Sequence, residues 1–241
     1  MSKEQNVASQ WQRAFVLHGR PYSESSLIVS LFCEKQGAIT AIAKGARTKR
    51  SAQKAYLQPF TPLLVKFLGK GEVKTLVAVE PISLTLPLSN TYLYSGIYLN
   101  ELIQRVLESE VDCTLLYSEY LLAIQSLASQ ELSIEAVLRR FELILLKHLG
   151  YSVDFFHCAG SGQKIATDMT YIYYPEKGFV ASMMNNKNVF LGQYILAMGH
   201  LDFLDKETLN CAKQFTRIAL KPYVGSKPFK SRELFSQILP R

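Results

Sequence analysis

The apolar positions in the first third of the chain follow the spacing of β-strands. Short runs rich in β-branched and aromatic residues are separated by turns that contain Gly or Pro. They predict five strands, at residues 11–18, 27–33, 38–43, 63–68 and 73–79. A long excursion lies between the third strand and the fourth, which is typical of a Greek-key barrel of the OB type. An SH3-like barrel is the alternative, because the number of strands alone does not separate the two.

In the second third of the chain the apolar spacing becomes that of helices. Apolar residues recur three and four positions apart, which places them on one face of a helix. They predict three helices of one bundle, at residues 92–107, 115–127 and 133–149. Ser133 is the expected N-cap of the third helix, and Gly150 marks its end. Two more helices are expected, a long one that begins at Asp205 or Thr208 and a short one at residues 231–238.

Residues 151–190 break the helical pattern. The runs 171–174 and 179–182 flank a Pro-Glu-Lys-Gly turn and predict a β-hairpin. The fold class that results is α+β, with an N-terminal OB-type β-barrel followed by a helical bundle domain that carries a small β-containing insert.

The composition agrees with a folded globular chain. Of the 241 residues, 48% are apolar and 20% are charged. No apolar run is long enough to span a bilayer, and residues 1–10 lack the apolar core of a signal peptide. We expect a cytoplasmic protein with no membrane partner, whose residues 1–10 form a loose N-terminal extension.

The net charge of +7 is unevenly distributed along the chain. Residues 1–80 carry 12 Lys and Arg against 5 Asp and Glu, a net +7. Residues 81–212 carry 8 against 14, a net −6, and residues 213–241 carry 7 against 1, a net +6. A basic head and a basic tail on either side of an acidic middle indicate two separate surfaces that face anions.

The densest basic segment follows the third predicted strand. Residues 41–51 run from an apolar strand into a small turn, and four cations then fall within seven residues. Such a loop offers no nucleophile or general base and is suited to binding anions, with a solvated charged loop as the alternative. Further cations on the barrel complete a candidate set for binding a nucleic-acid backbone: Arg13, Lys44, Arg47, Lys49, Arg50, Lys54, Lys66, Lys70 and Lys74.

Proteins that bind single strands combine a basic groove with aromatic rings on which bases stack. The aromatic candidates on the barrel are Trp11, Phe15, Tyr22, Phe32, Phe60 and Phe67. Most of these rings are expected in the core, because a barrel of about seventy residues needs its large side chains there. Tyr22 and Tyr56 lie in predicted loops and are better placed to reach a base.

Two predicted helices carry a second set of cations. Arg139 and Arg140 lie on the third helix of the bundle, and Lys213, Arg217 and Lys221 stand four residues apart on the last long helix. Helices that share a basic rim and an apolar groove suit an acidic peptide that ends in a large apolar residue. The alternative is an ordinary solvated helix face.

No constellation of catalytic residues is apparent in the sequence. The four histidines are scattered, and neither a Ser-His-Asp order nor an HExxH motif occurs. His157 and Cys158 are adjacent, but a zinc site needs about four ligands and only Asp154 and Asp168 lie near them in sequence. We therefore predict no catalytic residue, no metal site and no cofactor.

Several motifs resemble those of the RecO family of bacterial recombination mediators. In the first half of the chain the resemblance rests on the segments Trp11-Gln-Arg-Ala-Phe-Val-Leu, Tyr22-Ser-Glu-Ser-Ser-Leu, Ala43-Lys-Gly-Ala-Arg-Thr-Lys-Arg, Leu57-Gln-Pro-Phe-Thr-Pro-Leu and Gly71-Glu-Val-Lys-Thr-Leu. In the second half it rests on Leu138-Arg-Arg-Phe-Glu-Leu, His148-Leu-Gly-Tyr, Phe156-His-Cys-Ala-Gly-Ser-Gly and Ala219-Leu-Lys-Pro-Tyr. The match covers nearly the whole chain from Trp11 onward and is nearest to the enterobacterial branch.

The resemblance implies three domains. They are a DNA-binding OB barrel at residues 11–82, a helical domain at residues 83–150 and 205–241, and a small hairpin insert at residues 151–204. Many members of the family hold zinc in the insert through four cysteines. This chain keeps only Cys158 in that region, so we expect an insert without zinc.

The resemblance also implies a function in DNA repair and homologous recombination. Family members bind single- and double-stranded DNA and anneal complementary strands. With the co-mediator RecR, they help to load RecA onto strands coated by the single-stranded-DNA-binding protein, whose acidic C-terminal tail is the implied peptide ligand. A nucleoid-associated factor of the RecF pathway that is not an enzyme is thus predicted. The alternatives are a metal-dependent nuclease that uses Glu108, Glu110 and Asp112, and an RNA-binding OB protein.

Overall fold

Five strands close into a barrel in the computed structural model, which describes residues 10–69, 71–183 and 188–238. The strands are β1 (Gln12–Pro21), β2 (Leu27–Cys33), β3 (Gly37–Ala43), β4 (Leu63–Leu68) and β5 (Val73–Pro81). Their order around the barrel is β1-β2-β3-β5-β4, with β3 and β5 parallel and the other neighbours antiparallel. A short helix, α1 (Gln53–Tyr56), lies between β3 and β4. The predicted OB-type barrel is confirmed, and the predicted extension lies outside the described residues except for Gln10.

Alternate residues of each strand fill the interior of the barrel. Small side chains such as Ala14, Ala41 and Ala43 lie there beside larger apolar ones such as Phe67. Residues from the excursion between β3 and β4 join the same core, since Ala46 is fully buried and Leu57 nearly so. Apolar packing therefore anchors that excursion on the barrel.

The helices and a second sheet follow the barrel in sequence. The helices are α2 (Asn90–Val106), α3 (Thr114–Ser129), α4 (Ile134–His148), α5 (Gly192–Gly199), α6 (Lys206–Val224) and α7 (Lys230–Ile238). The strands of the sheet are β6 (Thr170–Tyr174), β7 (Gly178–Ala181) and β8 (Val189–Leu191), in the order β7-β6-β8. The expected caps are present: the Ser133 hydroxyl accepts from the Ala136 amide at 3.2 Å, and the Asp205 carboxylate accepts from the Thr208 amide at 2.8 Å.

The contacts divide the described residues into two units. The first runs to Ser129 and resumes at Lys227, so that it comprises the barrel with α2, α3 and α7. The second comprises residues 130–226, which include α4, the three-stranded sheet, α5 and α6. The three domains expected from the sequence concern parts that fold independently, and their boundaries stay a prediction. None of the helices within the described ranges is both long and apolar enough to cross a membrane.

Phe15 and Phe32 lie on the outer face of the barrel and not in its core. Their neighbours Ala14 and Val16 point inward, so the alternation of a strand turns Phe15 outward. Both rings pack on Tyr117 and Tyr120 of α3, with ring centroids 5.0–5.7 Å apart. Helix α3 thus covers two of the aromatic residues considered as candidates for stacking on bases.

A buried polar bridge fixes α2 and α3 on the same side of the barrel. The side-chain amide of Asn100 donates to the Leu17 carbonyl at 3.1 Å and accepts from the Tyr120 hydroxyl at 2.6 Å. All three groups are buried, so each polar atom in the bridge finds its partner inside the protein.

Strand β8 and helix α5 were not predicted from the sequence. The chain passes directly from Leu191 in β8 to Gly192 in α5. A side chain at this glycine would place Cβ 1.9 Å from the Ala166 carbonyl oxygen, so only glycine fits the junction. The periodicity of so short a segment does not reveal either element.

Glu101 of α2 holds the N-terminus of α7. One carboxylate oxygen accepts from the Lys230 amide at 3.0 Å and from Arg105 at 2.6 Å. The other accepts from the Ser231 amide at 3.0 Å and from the Ser231 hydroxyl at 2.9 Å. Burial raises the pKa of the Glu101 carboxyl, but these hydrogen bonds outweigh that effect and the pKa lies below its ordinary value.

Arg105 extends this attachment along the segment before α7. Its guanidinium donates to the carbonyls of Lys227 and Pro228, both at 2.6 Å. It also lies over the ring of the buried Phe229, 4.2 Å from the ring centroid. The C-terminal segment is therefore held on α2 by charge, hydrogen bonds and one aromatic anchor.

Replacing Glu101 with Gln is expected to destabilise the first unit by about 1–3 kcal/mol, because the amide cannot accept all four hydrogen bonds. The carboxylate's pKa is lowered in the folded state, so its stabilisation is full above the unfolded pKa of about 4.3. It disappears as the pH falls through the folded-state pKa. Thermal unfolding and limited proteolysis of the C-terminal segment should therefore show a difference between the two proteins at pH 7 that shrinks below about pH 4.

The matched control for this variant is Glu80→Gln. Glu80 is exposed on β5 and makes no ion pair within the described part of the chain, so its replacement should leave the unfolding temperature unchanged. If Glu101→Gln were less stable than the wild type by the same amount from pH 7 to pH 3, the assigned role of the Glu101 charge would be contradicted.

Candidate nucleic-acid interface

Two loops at one end of the barrel present most of its exposed cations. Residues 20–26 end β1 and lead to β2, while residues 44–54 follow β3 and lead into α1; we call them the loop pair. They lie side by side, because Leu27 at the start of β2 pairs with both Pro21 and Ala43. The exposed charged residues of the loop pair are Arg20, Lys44, Arg47, Lys49, Arg50, Lys54 and, as the one acidic member, Glu24.

The second loop folds into successive tight turns for local reasons. Gly45 adopts a φ of 71°, a left-handed conformation that glycine tolerates without strain. The amide and hydroxyl of Thr48 both donate to the Gly45 carbonyl, at 3.1 and 2.9 Å. Ala46 is buried between two cations, so the backbone sits on the core while Lys44 and Arg47 face water.

Arg47 ties the two loops together. Its amide donates to the Ser25 carbonyl at 2.8 Å, and its guanidinium donates to the Ser23 carbonyl at 2.5 Å. From the sequence, Arg47 was predicted to be one of the cations that bind a nucleic-acid backbone. Its position between two backbone carbonyls of the first loop makes it in addition a positioning residue.

The remaining cations of the second loop have no such engagement. Within the residues that the structure describes, the side chains of Lys44, Lys49, Arg50 and Lys54 make no ion pair or hydrogen bond. Unpaired cations in water attract phosphate without first breaking an internal contact. This end of the barrel is thus an exposed and strongly basic surface.

Two other predicted cations lie towards the opposite end of the barrel. Arg13 is near the start of β1, seven residues from Arg20, or about 23 Å along an extended strand. Lys66 lies over the Trp11 ring, with its ammonium 4.7 Å from the ring centroid. They form a smaller basic patch with Trp11, a residue that is 38% exposed.

Lys74 is mostly buried. It pairs with Ala41 across the parallel β3–β5 ladder, so it shares the inward direction of that residue. Its side chain is 14% exposed, and its ammonium lies 3.8 Å from a Glu110 carboxylate oxygen. Lys70, the remaining candidate, lies outside the described residues. Lys66 and Lys74, the described candidates on β4 and β5, therefore do not form one continuous surface with the cations of the loop pair.

The aromatic candidates differ in what covers them. Phe60 and Phe67 are buried, and Tyr56 packs partly against the barrel core. Tyr22, in the first loop of the loop pair, is 53% exposed. Tyr22 is therefore the stacking candidate that lies among unpaired cations.

The structure also reassigns one member of the second cationic set. Helices α4 and α6 pack on each other, as the shared basic rim requires. Arg140, Arg217 and Lys221 are exposed, and Lys213 donates to Glu135 at 2.9 Å. Arg139, in contrast, is only 7% exposed and faces the interior of the second unit.

Arg139 belongs to a buried polar cluster between α4 and α6. Its guanidinium donates to the Glu142 carboxylate at 2.8 Å and to the Thr216 hydroxyl at 3.2 Å. The Thr216 hydroxyl donates in turn to the other carboxylate oxygen of Glu142, at 2.5 Å. Arg139 thus holds α4 on α6, and it is not part of the exposed basic rim.

Two of the three carboxylates of the nuclease alternative, those of Glu110 and Asp112, already have partners within the first unit. Glu110 faces Lys74, while Asp112 accepts from Lys35 at 3.2 Å and from the amide and hydroxyl of Thr114. These hydrogen bonds, chiefly those from Thr114, lower the pKa of Asp112 to about 2. The arrangement is that of a structured turn that precedes α3.

The adjacent His157 and Cys158 are also used locally. His157 Nδ1 lies 2.9 Å from an Asp154 oxygen. Burial raises the pKa of the Cys158 thiol, but hydrogen bonds from the Ser161 hydroxyl and nearby amides outweigh it and lower the pKa to about 7. Across the described ranges, no group of three or more His, Cys, Asp and Glu side chains is arranged to hold a metal ion.

Comparison with known proteins gives matches over almost the whole chain. The family model described as "Recombination protein O N terminal" matches residues 8–85, and "Recombination protein O C terminal" matches residues 90–233. The first match spans the barrel with α1, and the second spans α2 to α6, the small sheet and the start of α7.

Curated relatives are named DNA repair protein RecO. The chain is 58% identical over 231 residues to the DNA repair protein RecO of Erwinia tasmaniensis, which covers 96% of this chain and 94% of that protein. It is 57% identical over 229 residues to the DNA repair protein RecO of Yersinia enterocolitica, with 95% of each chain covered. It is 58% identical over 230 residues to that of Klebsiella pneumoniae, with 95% of this chain and 94% of that protein covered.

Proposed function

Since the chain belongs to the RecO family of DNA repair proteins, we propose that it binds single- and double-stranded DNA through the loop pair and anneals complementary strands. With RecR, it would help to load RecA onto strands coated by the single-stranded-DNA-binding protein. The observation that carries the proposal is the charge of the loop pair, six exposed cations against one carboxylate at one end of an OB-type barrel. A DNA partner implies that the protein works at the nucleoid, in the cytoplasm.

The proposed mechanism of annealing is electrostatic. Two strands repel each other through their phosphates, and a protein that screens both strands at once lowers the barrier to their meeting. The C-terminal segment offers a second basic surface in the same unit. Lys227, Lys230 and Arg232 are exposed there, close to the point where Arg105 binds the segment. Its only signal in the sequence was the net charge of +6 over residues 213–241.

The acidic tail of the single-stranded-DNA-binding protein is the proposed peptide ligand of the second unit. The exposed cations Arg140, Arg217 and Lys221 on the packed helices α4 and α6 support this assignment. Arg139 would act only indirectly, because it fixes the spacing of the two helices from inside the unit.

This function needs no catalytic group, and we propose that the protein is not an enzyme. The nuclease alternative is less well supported, because Glu110 and Asp112 are bound to Lys74, Lys35 and Thr114. An RNA-binding function remains the other alternative, since phosphate contacts alone do not distinguish DNA from RNA. Competition between DNA and RNA single strands of one sequence separates the two.

The test is annealing of complementary strands that are bare or coated with the single-stranded-DNA-binding protein. On coated strands, deletion of the acidic tail of the coating protein should slow annealing. Bare strands, which carry no tail, should be annealed in either case. The combined variant Arg217→Ala and Lys221→Ala should reproduce the effect of tail deletion. If tail deletion changes nothing, the peptide site is wrong; if bare strands are not annealed, the annealing function is wrong.

A further inference from the structure

We infer that Tyr22 is a stacking platform for an unpaired base and that Arg47 positions it, so that the loop pair distinguishes single-stranded from duplex DNA. The inference rests on the proposed binding of DNA by the loop pair. It assigns different roles to neighbouring residues of the loop pair. The unpaired cations bind phosphates, and the Tyr22 ring stacks only on a base that is not paired.

Tyr22 is the most exposed aromatic residue in the described part of the chain, at 53%. Cations lie close to it in the loop pair: Arg20 is two residues before it, and Arg47 donates to Ser23, the residue that follows it. A large ring held in water among unpaired cations matches the combination of stacking and phosphate binding found in single-strand sites.

The backbone that carries the ring is fixed on both sides. The Tyr22 amide donates to the Ser26 carbonyl at 3.1 Å, which closes the first loop. Arg47 then holds the Ser23 and Ser25 carbonyls from the second loop, at 2.5 and 2.8 Å. Because the loop is ordered before DNA arrives, stacking does not have to order it, and less binding free energy is lost.

Base stacking and phosphate binding respond differently to the state of the DNA. Phosphates are present on single strands and on duplexes, so the free cations act on both. A base inside a duplex already stacks on its neighbours through both faces and offers none to a protein ring. Tyr22 should therefore add affinity for single strands alone, and the ratio of the two affinities should depend on it.

Binding of three fluorescent probes of equal length tests the inference: oligothymidylate, an abasic strand with the same phosphates, and a blunt duplex. Tyr22→Ala should weaken binding of oligothymidylate about 5- to 100-fold, the range for loss of one stacked base, and change binding of the other probes by less than about twofold. Tyr22→Phe should retain most of the affinity, because it keeps the ring, and Tyr22→Leu should behave like Tyr22→Ala. The matched control is Tyr174→Ala, which removes another exposed tyrosine, 45% exposed, from the β6–β7 hairpin; it should have no effect on binding of any probe.

Arg47→Lys tests the positioning role separately, since it keeps the charge and the backbone bond to Ser25 but loses the guanidinium group that donates to the Ser23 carbonyl. Tyr22→Ala should then have a smaller effect in the Arg47→Lys protein than in the wild type, while the salt dependence of binding stays unchanged. Equal losses on all three probes, or no loss on oligothymidylate, would overturn the role of Tyr22. Failure of the wild-type protein to bind any probe would instead overturn the proposed DNA binding.

Discussion

Replacing Glu142 with Ala is expected to destabilise the second unit by about 3–5 kcal/mol, because it leaves the Arg139 charge buried without its partner. Arg139 and Glu142 are both buried and are joined directly and through the Thr216 hydroxyl. The effect should appear in urea denaturation followed by circular dichroism, and as faster amide hydrogen exchange in α4 and α6.

The informative comparison is the double variant Arg139→Met and Glu142→Leu. A buried ion pair repays its desolvation poorly, and here the Arg139 Nε has no hydrogen-bond partner within the described residues. An apolar pair of similar volume should therefore leave stability within about 1 kcal/mol of the wild type, or raise it. Arg217→Ala, at an exposed position of α6, should change stability by less than about 0.5 kcal/mol. If Glu142→Ala is no worse than Arg217→Ala, the buried pair does not hold α4 on α6.

Combining Lys44→Ala, Lys49→Ala and Arg50→Ala is expected to lower the affinity for single-stranded DNA by about 100-fold at about 0.1 M salt. The estimate assumes that each lost cation neutralised one phosphate. Each such contact contributes about 0.7 to the slope of log K against log salt concentration on single strands, through counterion release. Duplex affinity should fall by a similar or larger factor, because release per phosphate is greater there. Fluorescence anisotropy with both probes measures the two changes.

The control for this variant removes the same charge elsewhere. Lys164, Lys177 and Lys206 are exposed in the second unit, and their combined replacement with Ala lowers the net charge equally. It should leave DNA affinity within about threefold of the wild type if binding depends on the loop pair rather than on total charge. Equal losses in both triple variants would assign the effect to net charge.

The strands were largely predictable, but their outward faces were not. Strands β2 and β4 span the predicted residues, because their apolar runs end in clear turn signals. On β1, residues 14–17 are all buried, so alternation did not show which face is the barrel interior. Phe15 is one of six aromatic residues of which most were expected in the barrel core. It instead packs on α3, a contact between residues about a hundred positions apart.

The sequence was enough to predict where the cations of the site cluster, but not what each cation contacts. The four cations of residues 44–50 are exposed as expected, and they differ only through tertiary contacts. Arg47 and Arg50 look alike in sequence, yet only Arg47 meets the backbone of the first loop. Arg139 and Arg140 are adjacent, yet a helix turns one inward to Glu142 and leaves the other exposed.

The salt dependence of DNA binding is the most direct test that the loop pair holds the DNA backbone. For the wild type, the logarithm of the association constant for oligothymidylate should fall linearly with the logarithm of salt concentration. The variant that lacks Lys44, Lys49 and Arg50 should give a slope shallower by about 2, which is three phosphates at about 0.7 each. Parallel lines for the two proteins would contradict the assignment and place the DNA on another surface.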